Sequence, residues 1–349
     1  MKQWQMTCAT GALLLSVAVA QASPWQALPE QPPIPENNPQ SEAKIELGKT
    51  LYFDPRLSKN GAISCNSCHN VMAGGEDNRP NSVGVHDARG GRGAPSVWNA
   101  AFLSVQFWDG RAESLEAQAV GPITNPVEMA MDDDAAVLAR LNQIPGYVEL
   151  FKAVFPESDP AISMENVAKA IASYERTLIT PNSPFDRYVK GEKEALNEQQ
   201  VRGMETFLNT GCVACHSGAN FSGPDLPMGQ GFFMKFPTFA GSEYDAKYDL
   251  LSDPGRYEVT KADSDKNMWR VPTLRNVALT APYFHNGKVA NLDEAVRVMA
   301  KTQLNKDLSA EETADIVAFL NGLTGEFPVQ TMPRLPPTPN TTVLPLADK

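Results

Sequence analysis

The chain has 349 residues, 42% of them hydrophobic and 20% charged, with a formal net charge of -11. Such a composition is that of a soluble globular protein with room for two domains and a sizeable core. The acidic balance, with no long basic run, excludes nucleic acid as a partner, because phosphate binding needs clustered Lys and Arg.

Residues 1–22 have the parts of an export signal: Lys2, an apolar run from Gly11 to Ala20, and the small-residue cleavage site Ala20-Gln21-Ala22. The run is too short to span a bilayer permanently. Cleavage after Ala22 removes Cys8 and implies a periplasmic protein. Residues 23–40 are proline-rich and are expected to form an extended arm outside the core.

The first predicted helix includes IELGKTLYF, where Gly48 and Tyr52 lie one turn apart on one face. CNSCH follows, with Cys65, Cys68 and His69. This C-x-x-C-H spacing lets two thiols reach the two vinyl groups of one porphyrin and sets the next histidine beneath the iron. VGVHDARGGRGAP comes next and contains His86, one of four histidines in the chain, among Gly84, Gly90, Gly91 and Gly93. Its position 17 residues after His69 makes His86 a candidate second ligand to the first iron. A helix around ENVAKAIASYERTL, from Glu165, closes the first half. TPNSPFDRY, Thr180 to Tyr188, holds two prolines and turn residues and marks the boundary between domains 41–180 and 181–330.

The second half repeats the order. In QVRGMETF, Gly203 again precedes an aromatic, Phe207, by four residues. CVACH, with Cys212, Cys215 and His216, is a second haem anchor, and the two anchors together use every cysteine left after cleavage. LDEAVRVMAK reads as a helix starting near Leu292 and carrying Met299. Spacing alone leaves the sixth ligand of the second iron open between Met299, Met268 and His285. EETADIVAFLNGL, from Glu311, is a final helix opened by a capping box between Ser309 and Glu312. Residues 331–349 form a proline-rich tail. The expected fold is all-α: two cytochrome-c-like helical domains, each carrying one covalent c-type haem.

With both anchors, FWDGRAESLEAQAVGPITNPVEM and VPTLRNVALTAPYFHNG, the chain resembles the bacterial di-haem cytochrome c peroxidases from about Ala43 to Leu323. That resemblance implies a peroxidase that reduces hydrogen peroxide with electrons from a small c-type cytochrome or a copper protein. It implies His69 and His86 as ligands of a peroxidatic haem, with His86 released on activation. His216 and Met299 would ligate an electron-transfer haem. Glu128 matches a distal acid–base carboxylate, Gln118 a distal amide and Trp108 a tryptophan between the haems, while His285 falls outside the ligand set. A homodimer is implied, as is one calcium ion bound by the backbone carbonyls of Thr280 and Pro282 and by an asparagine side chain. The asparagine position falls at Gly93, which has no such oxygen. Three other readings stand beside this one: a di-haem electron carrier, a related enzyme oxidising tryptophan residues of another protein, and a peroxidase whose first iron is already open. The tryptophan-oxidising relatives have tyrosine in place of Met299.

Overall fold

The computed structural model describes residues 25–344, so the export signal and the end of the tail lie outside the described residues. The fold is mostly helical. The strands named among the described residues, Phe233–Lys235 and Met268–Arg270, pair antiparallel with Met234 opposite Trp269. No helix among the described residues is long and apolar enough to cross a membrane.

Each half is built on one helix crossing. Ser41 caps the helix Glu42–Phe53 by accepting the Lys44 N–H. Gly48 of that helix sits against the Ala170 carbonyl of the helix Met164–Glu175, where a Cβ has no room. The second half repeats this: Gly203, in the helix Glu198–Thr210, sits against the Asp315 carbonyl of the helix Ala310–Asn321. The Ser309–Glu312 capping box is formed, with reciprocal bonds of 3.1 and 2.8 Å. The aromatics one turn on, Tyr52 and Phe207, are buried in separate apolar cores. A third cluster, including Trp269, Tyr283 and Val298, packs against Trp108 from the first half and Met299 from the second.

A further repeat joins the crossings. PSVWN at Pro95 recurs as PTLRN at Pro272, an offset of 177 residues (272 less 95). Ser96 and Thr273 each accept the backbone N–H two residues on, at 3.1 and 3.0 Å. Asn99 and Asn276 both take left-handed φ values, 63° and 59°, before a 3-10 turn. Asparagine tolerates that conformation better than most side chains. Both asparagines are fully buried and donate to the Thr180 hydroxyl, at 2.8 and 2.9 Å. The same offset pairs Phe107 with Phe284 (φ 67° and 69°) and Gly110 with Gly287 (φ 65° and 59°). It also pairs Trp108 with His285, and Pro122 of the helix Leu115–Thr124 with Met299 of the helix Leu292–Leu304.

The proline-rich ends lack helix, as expected, but they are not outside the core. Trp25 packs on Phe185 and Phe319 of the second half, with ring centroids 5.8 and 5.9 Å apart. Leu28 is buried, and its N–H donates to Asp186 at 2.9 Å. The tail runs the other way. The Pro336 carbonyl accepts from Arg56 at 2.8 Å, Gln330 accepts from the Tyr174 hydroxyl at 2.9 Å, and Val343 packs against the first core. Proline content correctly excluded helix, but it carried no information about where the few apolar residues of each arm would dock.

Candidate functional site

The first anchor opens onto a cavity of about 480 Å3. That volume lies within the range of roughly 300–1,000 Å3 typical of cofactor and ligand sites. Cys65, Cys68 and His69 contribute to its lining. The ring of His69 is oriented by a 2.9 Å bond between Nδ1 and the Pro95 carbonyl. A carbonyl only accepts, so Nδ1 carries the proton and the Nε2 lone pair is left for a metal. Burial lowers the His69 pKa, which keeps the ring neutral. The Tyr52 hydroxyl donates to the His69 carbonyl at 2.7 Å, tying the anchor to the first helix crossing.

Ser114 caps the helix Leu115–Thr124 by accepting the Ala117 N–H, and this helix brings Gln118 and Pro122 to the same cavity. The turn after it adds Glu128, whose N–H donates to the Asn125 carbonyl at 3.0 Å. Burial raises the Glu128 pKa above the usual carboxylate range, against the opposing pull of Arg111. Trp108 lines the cavity too, with Nε1 donating to the Gly93 carbonyl at 2.9 Å and its own carbonyl accepting from the Arg270 N–H at 3.0 Å. Its ring packs against the cluster that Met299 also touches, so Trp108 connects the cavity to the second half.

His86 is not brought to this cavity. It is exposed and absent from the lining, although neighbouring Gly84 and Gly90 are part of it. The reason is local. His86 and Asp87 both have left-handed φ values, 59° and 60°, at the tip of a tight turn closed by the Gly84 N–H donating to the Ala88 carbonyl. The base of the turn is pinned to the acid-bearing segment, where the Glu128 carbonyl accepts the Val85 N–H at 2.8 Å. A Cβ at Gly84 would meet the carbonyls of Val127 and Glu128, so the turn sits there flush and its tip faces solvent. In this arrangement His86 is no ligand of the first site.

At the second anchor, the Cys212–Ala214 turn follows Gly211, whose φ of 104° ends the preceding helix. The turn is closed by the Cys215 N–H, which donates to the Cys212 carbonyl at 3.2 Å and so holds the two thiol-bearing residues together. Cys212 packs on the second core, Cys215 is half-buried, and His216 Nδ1 donates to the Phe221 carbonyl at 3.0 Å. This imidazole, too, is fixed with Nε2 free for a metal. Met299 is half-buried on its helix, and its counterpart Pro122 lines the first cavity. Met268 lies in the strand pair, and His285 is stacked on Trp269 with Nε2 buried and unpartnered. Among the described residues, no group of three His, Cys, Asp or Glu side chains converges on a bare metal ion. The donor set fits two haems: paired thiols, each pair followed by one oriented imidazole.

The calcium set lacks its asparagine side chain. Gly93 has no side-chain oxygen; its carbonyl accepts from Trp108, and its N–H donates to the His285 carbonyl at 2.8 Å. A Cβ there would come within 3.0 Å of the Pro80 carbonyl oxygen. Instead, the Asn78 amide reaches across the halves and donates to the Ala281 carbonyl, between Thr280 and Pro282, at 3.0 Å. Calcium therefore enters no step of the chemistry below. Glu175 and Arg270 are among the charged cavity residues that the sequence did not single out. Both are charged side chains within otherwise apolar or repeated segments, and the repeat itself is the signal that could have exposed Glu175.

Residues 42–194 match the family model described as di-haem cytochrome c peroxidase. The cytochrome c551 peroxidase of Pseudomonas aeruginosa is 45% identical over 345 residues, covering 96% of this chain and 97% of that protein. The methylamine utilization protein MauG of Methylorubrum extorquens is 34% identical, covering 88% and 86%. A solved structure of a MauG-like protein associated with microbial copper homeostasis superposes with a TM-score of 0.74 at 30% identity, covering 86% of this chain and 95% of that one. The chain belongs to the di-haem cytochrome c peroxidase family.

Proposed function

We propose that this protein reduces hydrogen peroxide to water at the first cavity, H2O2 + 2H+ + 2e− → 2H2O, with electrons arriving through the second site. The observation that carries the reading is the contrast between the halves. At the offset of 177 residues the second half carries Met299 where the first carries Pro122, whose side chain has no atom able to ligate iron, and His86 faces solvent. With haems bound, a position left open on one and closed by a thioether on the other would separate peroxide chemistry from electron storage. It also disfavours a simple electron carrier. Met299 disfavours the tryptophan-oxidising reading.

When bound, the haems supply the iron that takes peroxide and the route for two electrons. His69 and His216 would hold them, each with Nδ1 already fixed by a carbonyl. Glu128 would take a proton at its carboxylate from one peroxide oxygen and return it to the other, which leaves as water. Its raised pKa suits it to both transfers. Gln118 offers an amide donor and acceptor to orient the substrate, and Trp108 bridges the apolar gap toward Met299. The names of relatives such as cytochrome c551 peroxidase support a small c-type cytochrome as donor. The N-terminal export signal supports a periplasmic location.

The test mixes the fully oxidised holoprotein with hydrogen peroxide in a stopped-flow instrument. The parent should react without prior reduction, Glu128→Gln should slow the reaction by about 10²–10⁴-fold, and His86→Gly should match the parent. If the oxidised parent is inert and His86→Gly wakes it, His86 is a resting ligand and the open-site reading is wrong. No turnover in either oxidation state would point to an electron carrier.

A further inference from the structure

The second half serves as an internal reference for the first. Its crossing at Gly203 and Asp315 corresponds to the crossing at Gly48 and Ala170. Five residues beyond Ala170 is Glu175, and five beyond Asp315 is Leu320. The two are equally buried, at 5% and 4% exposure. Leu320 packs into the second apolar core, whereas Glu175 lines the first cavity. A position that is apolar in one half is therefore a carboxyl group in the other, beside the site where peroxide is proposed to react.

Only the neighbouring charge of Arg176 opposes the burial of Glu175. Its Oε2 is buried without a hydrogen bond. The adjacent Arg176 is committed to Glu116 through bonds of 2.7 and 3.0 Å. The other titratable groups facing Glu175 are Tyr52 from the first helix, Cys65 from the anchor, Tyr174 from its own helix and Glu116 from the helix Leu115–Thr124. Charged groups elsewhere in the lining are Glu128, Asp109, Asp253, Arg92, Arg111 and Arg270. Burial pushes the Glu175 carboxyl up to about 8, which brings its proton exchange into the range between neutral and mildly alkaline pH. The peroxide mechanism above assigns this carboxyl no role.

We propose that Glu175 is the redox-linked proton site of the first haem: it binds one proton when that haem gains one electron and releases it when the electron leaves. The proposal rests on the first cavity holding a haem. The balance is Glu175–COO− + haem Fe(III) + H+ + e− → Glu175–COOH + haem Fe(II), with the electron on the haem and the proton taken from solvent. The physical reason is charge. In a poorly hydrated cavity, an added electron raises the cost of a nearby carboxylate, so a proton follows it. Glu175 would thereby keep the cavity's net charge constant while electrons arrive singly.

The test is spectroelectrochemical titration of the holoprotein between about pH 5 and 9, comparing the parent with Glu175→Gln and Glu175→Leu. Glutamine keeps the shape and leucine copies Leu320, so one variant that retains both haems suffices. In the parent, one of the two reduction potentials should fall across part of this range by up to about 59 mV per pH unit, the value for one proton per electron. In the variants that slope should vanish, while the other potential is the same in all three proteins. A slope that survives, or a loss that affects both potentials, overturns the proposal. Haem content is measured first. A parent with fewer than two haems per chain contradicts the reading of the site itself, whereas two haems with unchanged slopes contradict only the role of Glu175.

Discussion

His285 stacks on Trp269 with centroids 4.1 Å apart and planes 19° from parallel. Arg92 lies 4.8 Å from the Trp269 ring centroid, and the His285 carbonyl accepts the Gly93 N–H. Burial pushes the imidazole pKa down to about 4 from its ordinary 6.5; Asp253 opposes that shift, and Arg92 adds to it. The folded chain therefore binds this proton less readily than the unfolded one. The stability this group contributes is full above about pH 6.5 and is lost as pH falls toward 4. His285→Phe keeps a ring on Trp269 but cannot titrate. Melting temperatures measured across that window should fall less steeply for the variant, and parallel curves would refute the assignment. At this scale the sequence was read most securely where covalent chemistry dictates spacing. Both anchors follow from thioether geometry, whereas Glu128, Gln118 and Trp108 entered only by resemblance. For His86, distance along the chain does not tell which way a side chain leaves a turn with two successive left-handed residues, so its solvent-facing placement was not legible.

The elements that position the site meet backbone to backbone. At Gly48 and Gly203 a methyl group would collide with the carbonyls of Ala170 and Asp315. Glycine costs a helix roughly 0.5–1 kcal/mol relative to alanine, so its use in mid-helix at both crossings reflects close approach rather than helix preference. Gly48→Ala and Gly203→Ala should each destabilise the protein by about 1–3 kcal/mol or more, because a well-packed crossing must be forced apart. Denaturant unfolding measures this, and a neutral or stabilising result would show that the helices can slide. These helices were legible from apolar periodicity, and the capping box at Ser309 fixed the start of the last one. The repeat at offset 177 was equally present in the sequence but hard to see. Only scattered positions such as Pro95 and Pro272 or Asn99 and Asn276 are identical, because backbone geometry constrains them while their neighbours face different cores.

The two ends of the chain cross over the whole molecule. Residues before the first domain complete the second core through Trp25 and tie to it through Leu28, and the end of the second domain and the tail brace the first through Gln330, Pro336 and Val343. Each half therefore depends on a segment supplied from the other end, while Thr180 is clamped between by Asn99 and Asn276. Composition could not reveal this, since docking depends on shape at the far end of the sequence. The arrangement makes a directional prediction. Trp25→Ala removes a half-buried aromatic and should cost about 3 kcal/mol or less, given ~3–5 for full burial. Its effect should be local to the second half. Hydrogen exchange should quicken in the helices Glu198–Thr210 and Ala310–Asn321 and stay unchanged in Glu42–Phe53 and Met164–Glu175. Deleting residues 331–349 should do the reverse, loosening the Gly48–Ala170 crossing beside the peroxide cavity and sparing the second half. If either change loosens both pairs equally, the halves unfold as one cooperative unit and the arms do not act separately on the two haem sites.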